Sequence, residues 1–182
     1  MGKDYLRKLL LSKITSLSDS EIQSLSFRLT NQLIKFFSSL PELSNQVGGA
    51  FLPLKSEIAP MYQELMHAVP LDLAFPVLVN GQMSFGIPNG MPRGGIWLEW
   101  PYHLIGPQWL LVPGLGFDFS GARLGRGKGY YDRYLEDKDL LTIGIAWNEQ
   151  VIEKIPMEQH DCYMDFIITE EFCWDVGQQV KF

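Results

Sequence analysis

Leu111-Val-Pro-Gly-Leu-Gly-Phe-Asp-Phe-Ser-Gly-Ala-Arg-Leu-Gly-Arg-Gly-Lys-Gly-Tyr-Tyr-Asp-Arg-Tyr-Leu135 runs from the end of an apolar stretch into a glycine-rich loop and then into a helical segment. The apolar stretch, Trp109–Val112, lacks polar alternation, as expected of a strand covered on both faces. The helical segment is Tyr130–Asp137. Four further short apolar runs, Val47–Leu54, Leu71–Val79, Leu141–Trp147 and Phe166–Thr169, are rich in β-formers and bounded by Gly, Pro or polar residues. A helix with proline in its first turn is predicted at Pro60–Ala68. Strand–helix–strand alternation predicts an α/β fold: a mostly parallel sheet with helices on both faces.

Upstream, Leu6, Leu9, Leu10, Ile14 and Leu17 recur at helical spacing. Ser18-Asp-Ser-Glu21 then reads as a capping box, followed by a second apolar stripe at Ile22, Leu25, Leu29, Leu33 and Phe36, which Pro41 ends. The chain thus opens with two helices. Residues 80–108 carry five glycines between Gly81 and Gly95 and read as a hairpin plus a long loop, a candidate lid. No linker divides the 182 residues, so one domain spanning 1–182 is expected, and 46% hydrophobic residues suffice for a core.

The formal charge of −6 argues against a general nucleic-acid or anionic-membrane binder. Cys162 and Cys173 form no CxxC and no metal-ligand spacing, and read as free thiols of a reducing compartment. No run approaches the length of a membrane span, and the N-terminal apolar run is too short for a signal-peptide core. A cytoplasmic protein, monomeric or weakly dimeric, is the expectation.

Against that acidic background, Arg123, Arg126, Lys128 and Arg133 face one carboxylate, Asp132, so this segment is net +3 and the remainder −9. Gly125, Gly127 and Gly129 allow positive φ and close backbone approach to a ligand, and a helix start favours an anion. The combination points to a phosphate pocket. It is not a P-loop, because Ala122 stands where that motif needs Gly and Gly129 follows Lys128. Nor is it a dinucleotide fingerprint, because Tyr130 follows the third glycine. Asp132 beside such a loop suits Mg²⁺, which takes one or two carboxylates plus phosphate oxygens, or alternatively complements the helix dipole.

Pro113-Gly-Leu-Gly-Phe-Asp118 followed by Gly121-x-Arg-Leu-Gly-Arg-Gly-Lys-Gly-Tyr-Tyr-Asp132 resembles the signature of the 5-formyltetrahydrofolate cyclo-ligase (methenyltetrahydrofolate synthetase) family. The resemblance extends from Lys3 to Glu170. Lys3 and Arg7 match the family's basic pair on ATP phosphates, and at i and i+4 they share one helix face. Glu57 and Leu52 match substrate-contacting positions, and Phe85 an aromatic flanking the folate. Ile155-Pro-Met-Glu-Gln-His160-Asp161 resembles the closing block, in which Asp161 matches a second Mg²⁺-associated aspartate.

The resemblance implies ATP and 5-formyltetrahydrofolate as substrates and Mg²⁺ as cofactor. It implies a nucleotide loop of Arg123, Leu124, Gly125, Arg126, Gly127, Lys128, Gly129, Tyr130 and Tyr131, with Arg126 and Lys128 on the transferring group and Tyr130 where the two ligands meet. Arg126 and Tyr130 also fall in the implied folate site. The pattern is departed from between Val77 and Gln108: Asn89-Gly90 replaces an acidic or Gln residue followed by Pro, and Met91–Gln108 has no match. That divergence leaves an alternative, a non-catalytic nucleotide- or folate-binding relative of the same fold.

Overall fold

The computed structural model describes residues 2–54, 57–88, 102–158 and 161–181. The structure places α1 at Lys3–Thr15 and α2 at Asp19–Ser39, followed by β1 at Val47–Gly49 and α3 at Tyr62–Ala68. A hairpin follows, β2 (Asp72–Val79) and β3 (Gln82–Pro88), then β4 (Tyr102–Leu104), β5 (Trp109–Pro113), and a small hairpin of β6 (Gly116–Phe117) and β7 (Arg123–Leu124). After α4 (Tyr130–Leu135) come β8 (Leu141–Ile145), β9 (Phe166–Ile168), β10 (Cys173–Asp175) and β11 (Val180–Lys181).

Nine of these strands form one sheet in the order β11-β10-β9-β8-β5-β1-β2-β3-β4. Its centre, β9-β8-β5-β1-β2, is parallel throughout, and antiparallel pairs close both edges. The two faces follow the strand period of two. In β5, Trp109 and Leu111 pack with Leu29, Leu33 and Phe37 of α2 and Leu65 of α3. Leu110 and Val112 pack on the opposite face with Phe85 and with Leu135 of α4. β1 is able to lie between its neighbours because it is bare: a Cβ at Gly48 would sit 2.0 Å from the Trp109 ring.

The capping box of α2 forms as expected: the Glu21 amide donates to Ser18 Oγ and the Ser18 amide to Glu21 Oε2. α1 buries Leu6, Leu10 and Ile14 against Leu115, Leu124 and Ile155, whereas Leu9 of the expected stripe is 40% exposed. The first strand stops at Gly49 rather than Leu54, because the Phe51 amide and carbonyl leave the sheet for the Tyr62 hydroxyl, at 3.2 and 2.7 Å. The region after Val79 begins as the expected hairpin, with Asn80 and Gly81 at positive φ, as its tight turn requires. The candidate lid lies mostly outside the described residues, as do Asn89, Gly90 and His160. No described helix is long and apolar enough to cross a membrane.

In this order β1 is the point of divergence. The chain leaves β1 for β2 on one side and later returns to β5 on the other, so the loops leaving the C-terminal ends of β1 and β5 diverge. Open α/β sheets form their ligand crevice at such a switch point.

Candidate active site

Two loops meet above that crevice. After β1 the chain is held down by α2 at residues 59–61: the Ala59 amide donates to Ser26 Oγ at 3.3 Å and the Met61 amide to Thr30 Oγ1 at 2.9 Å, both acceptors buried. This fixes Glu57, whose Oε2 accepts the Leu54 amide at 2.9 Å. From the end of β5 comes the glycine loop. Its Arg126 donates through Nε and Nη2 to Glu57 Oε1 at 3.0 and 2.6 Å, joining the two loops across 69 residues of sequence.

The root of the glycine loop is pinned by Asp118. This buried carboxylate accepts the Ser120 and Ala122 amides on one oxygen and the Ile155 amide on the other. Gln150 adds a second tie, donating to the Gly114 and Leu115 carbonyls. Sequence reasoning gave neither residue a role. The Asp-x-Ser-Gly order at 118–121 is nevertheless an Asx-turn signal, whereas Gln150 left none. Farther along, Gly127 and Gly129 have φ of +92° and +64°, so the alternating glycines serve the backbone as expected.

The loop walls two spaces. On one side lies a wide cleft of about 1010 Å³ lined by Lys3 and Arg7 of α1, by Arg123, Leu124, Gly125, Gly127, Gly129 and Asp132, and by Asp161. Lys3 and Arg7 therefore reach the glycine loop, as the helix spacing predicts, and Arg7 Nε donates to the Gly125 carbonyl at 3.1 Å. Lys3 bonds Asp161 Oδ2 at 2.5 Å and lies 3.2 Å from Glu158. Burial works to lower the Lys3 ammonium, but hydrogen bonds and charge from Asp161 and Glu158 hold it above its ordinary value. Burial likewise works to raise the Asp161 carboxyl, and the Lys3 and Glu158 hydrogen bonds hold it below the usual carboxylate range. Leu124 meets the cleft with its backbone, its side chain being buried against α1.

On the other side lies a smaller apolar pocket of about 230 Å³ lined by Phe51, Leu52, Leu54, Glu57, Pro76 and Met83, and by Arg126, Lys128, Tyr130 and Tyr131 of the loop. Burial pushes the Tyr131 phenol up, against the pull of Arg123. No described residue forms an ion pair with Lys128. Arg123, Gly125, Gly129 and Asp132 line both spaces. Arg123 is itself buried, pairs with Asp132 at 2.7 Å, donates to the Pro113 carbonyl, and keeps a buried Nε without a partner.

Of the sequence-predicted site residues, only Phe85 falls outside both spaces. It is fully buried, with its ring 5.0 Å from that of Tyr134 and close over Gly49. Its strand position faces the core, so it forms no wall of the pocket.

Asp132 and Asp161 place carboxylates in the same cleft as the cations, each with one oxygen paired, to Arg123 and to Lys3. Among the described residues no cluster of three or more His, Cys, Asp or Glu could cage a metal. Two carboxylates without a full protein cage suit Mg²⁺ held largely by substrate phosphates and water, so the donor set fits that ion.

A model of the 5-formyltetrahydrofolate cyclo-ligase family matches residues 102–170. A 5-formyltetrahydrofolate cyclo-ligase of Mycoplasma genitalium is 30% identical over 176 residues, which is 92% of this chain and 98% of the relative. The chain belongs to the 5-formyltetrahydrofolate cyclo-ligase family. Within that family, the mouse cyclo-ligase is 43% identical over 68 residues, a match covering 34% of each chain. Two solved structures of 5,10-methenyltetrahydrofolate synthetases share the fold. That from Mycoplasma pneumoniae has a TM-score of 0.78 at 25% identity, covering 93% of this chain and 99% of its own. That from Aquifex aeolicus has a TM-score of 0.75 at 30% identity, covering 97% and 93%. The family is one of ligases, and this chain is an enzyme of that class.

Proposed function

We propose that this protein converts 5-formyltetrahydrofolate and ATP to 5,10-methenyltetrahydrofolate, ADP and phosphate. The observation that carries the reading is the glycine loop itself, one strip of backbone that walls a cationic cleft on one side and an apolar pocket on the other. A triphosphate in the first and a reduced pterin in the second would meet at that strip.

The chemistry explains why both are needed. A formamide oxygen is a poor leaving group and its carbon a weak electrophile. Transfer of the γ-phosphoryl group to that oxygen gives an imidate-like phosphate ester. N10 attacks the formyl carbon, the ring closes, and the C–O bond breaks with departure of phosphate. Such a path asks the protein for in-line positioning, cations around the transferring group and exclusion of water, with no covalent enzyme intermediate.

The residues divide accordingly. Lys3, Arg7 and the amides of the 123–131 loop clamp the nucleotide. Arg126 and Lys128, reaching the pocket from the loop, stabilise charge on the group in transit, and Tyr130 stands at the junction. Glu57 orients the pterin and N10, and Leu52 packs on it. Asp132 and Asp161 would hold Mg²⁺, which when bound neutralises phosphate charge. Three cation–carboxylate pairs, Lys3–Asp161, Arg123–Asp132 and Arg126–Glu57, meanwhile keep these groups ordered at the site.

The test is growth of the methenyl product's ultraviolet absorbance on mixing protein, Mg²⁺, ATP and 5-formyltetrahydrofolate. Product dependent on ATP is expected. Folded protein that binds magnesium-nucleotide in a calorimeter yet forms no product would instead establish the non-catalytic relative.

A further inference from the structure

The glycine loop sorts its cations to one side. Gly125, Gly127 and Gly129 border the cleft, whereas Arg126 and Lys128 border the pocket and not the cleft. The two cations assigned to the group in transit therefore stand on the folate side of the loop, and they differ in one respect. No described residue forms an ion pair with Lys128. Arg126 places both Nε and Nη2 on Glu57 Oε1, at 3.0 and 2.6 Å.

That contact leaves Glu57 with little spare capacity. Two N–H groups fill the lone-pair directions of Oε1, and Oε2 accepts the Leu54 amide. The Glu57 amide donates back to the Leu54 carbonyl at 2.9 Å, so the carboxylate stays anchored in its own turn whether or not Arg126 remains. Arg126 is the partner able to leave. Its side chain is 37% exposed, and an ion pair that water reaches is weak. A pterin carries an N3–H beside a 2-amino group, and two adjacent donors match the two oxygens of a carboxylate. A pterin that Glu57 orients thus competes with Arg126 for Oε1.

We propose that Glu57 is a positioning residue for Arg126: it holds the guanidinium on the pocket side until a pterin takes the carboxylate, and Arg126 then turns to the γ-phosphoryl group. The proposal rests on the cyclisation reading and adds to it a control on when the nucleotide is activated. With the pocket empty, bound ATP lacks that cation, and its loss to water is slow. In that side reaction the bond from the γ-phosphorus to ADP breaks, the water oxygen joins the phosphorus, and the water proton goes to solvent. With the pocket filled, the formyl oxygen stands in place of water beside the group that Arg126 stabilises. By linkage, the pterin also tightens any nucleotide that carries a γ-phosphoryl group.

The first arm of the experiment follows ADP release from Mg²⁺ and ATP without folate. The wild type should hydrolyse ATP far more slowly than it cyclises. Glu57→Gln, folded by its thermal unfolding, should hydrolyse about tenfold faster than the wild type, the change expected if the tie leaves roughly one molecule in ten with Arg126 free. Glu57→Gln combined with Arg126→Gln should return to the wild-type rate. The second arm needs no variant. Calorimetry measures binding of an ATP analogue with nitrogen between its β- and γ-phosphorus atoms, and of ADP, each with and without tetrahydrofolate, which fills the pocket but has no formyl group. Tetrahydrofolate should tighten the analogue by up to about tenfold and leave ADP unchanged. Hydrolysis by Glu57→Gln at the wild-type rate, a double variant as fast as the single one, or an analogue affinity that tetrahydrofolate leaves unchanged or shifts no more than that of ADP overturns the proposal. Methenyl product from the same wild-type protein keeps the cyclisation reading in place in each of those cases. A wild type that forms no product overturns that reading, and the role of Glu57 with it.

Discussion

The cleft and the pocket on the two sides of the glycine loop are built in opposite ways. The cleft is polar, wide and made largely of residues that announce themselves: Lys3 and Arg7 one helical turn apart, then the Arg123–Asp132 run. The pocket is smaller and more apolar, and it sets the loop's Arg126, Lys128, Tyr130 and Tyr131 against residues after β1 and in β2 and β3, such as Phe51, Pro76 and Met83, that are inconspicuous alone. An anion site can be written in a short stretch because charge and backbone amides act wherever they are placed near a ligand. A shaped apolar site needs walls, and the walls are only as good as the strands and loops that hold them.

The sharpest test of this division is the loop that borders both spaces. Lys128→Ala should reduce turnover by about 10²–10³-fold, as loss of one donor on developing charge does elsewhere. Thermal unfolding should be unchanged, since Lys128 is exposed and no described residue pairs with it. Near-wild-type turnover would remove Lys128 from the chemistry and leave the loop a mere partition.

Next in size is a change to the pocket's scaffold. Tyr62→Phe deletes the hydroxyl that serves both the amide and the carbonyl of Phe51, a pocket residue. Leaving these buried groups unpaired should cost about 1–3 kcal/mol in urea unfolding. The folate KM should rise while the ATP KM holds. An equal rise in both would mean that the two spaces do not respond separately.

The remaining substitutions sharpen the contrast from each side. Glu57→Gln weakens the tie to Arg126 and should raise the folate KM about tenfold with a much smaller change for ATP. Lys3→Met should do the reverse, raising the ATP KM roughly three- to fivefold, because it removes one cation from the wall of the cleft. Steady-state kinetics with each substrate varied in turn reads both, and a crossed result would exchange the assignments of the two spaces.

Much of this was legible before any coordinates. Continuous apolar runs marked buried strands, Ser18 and Glu21 marked the start of α2, and the glycine–arginine alternation marked the loop. Phe85 shows where such reading stops: an aromatic near a strand end looks the same in sequence whether it faces a ligand or, as here, lies over Gly49 in the core. The edge strands β10 and β11 were missed because three- and two-residue strands carry too little periodicity to register. Asp118 and Gln150 were passed over for a different reason. Their importance lies in which distant amides and carbonyls they meet.

Helical and strand periods, capping chemistry and the conformational freedom of glycine act over a few neighbouring residues, and so they were fixed along the chain. The pairing of Glu57 with Arg126, the descent of α1 onto the loop and the separation of one cleft from one pocket were settled only when β1 and β5 became neighbours in the sheet. Burial, close contact and charge pairing depend on distance in space, and the order of residues does not state that distance.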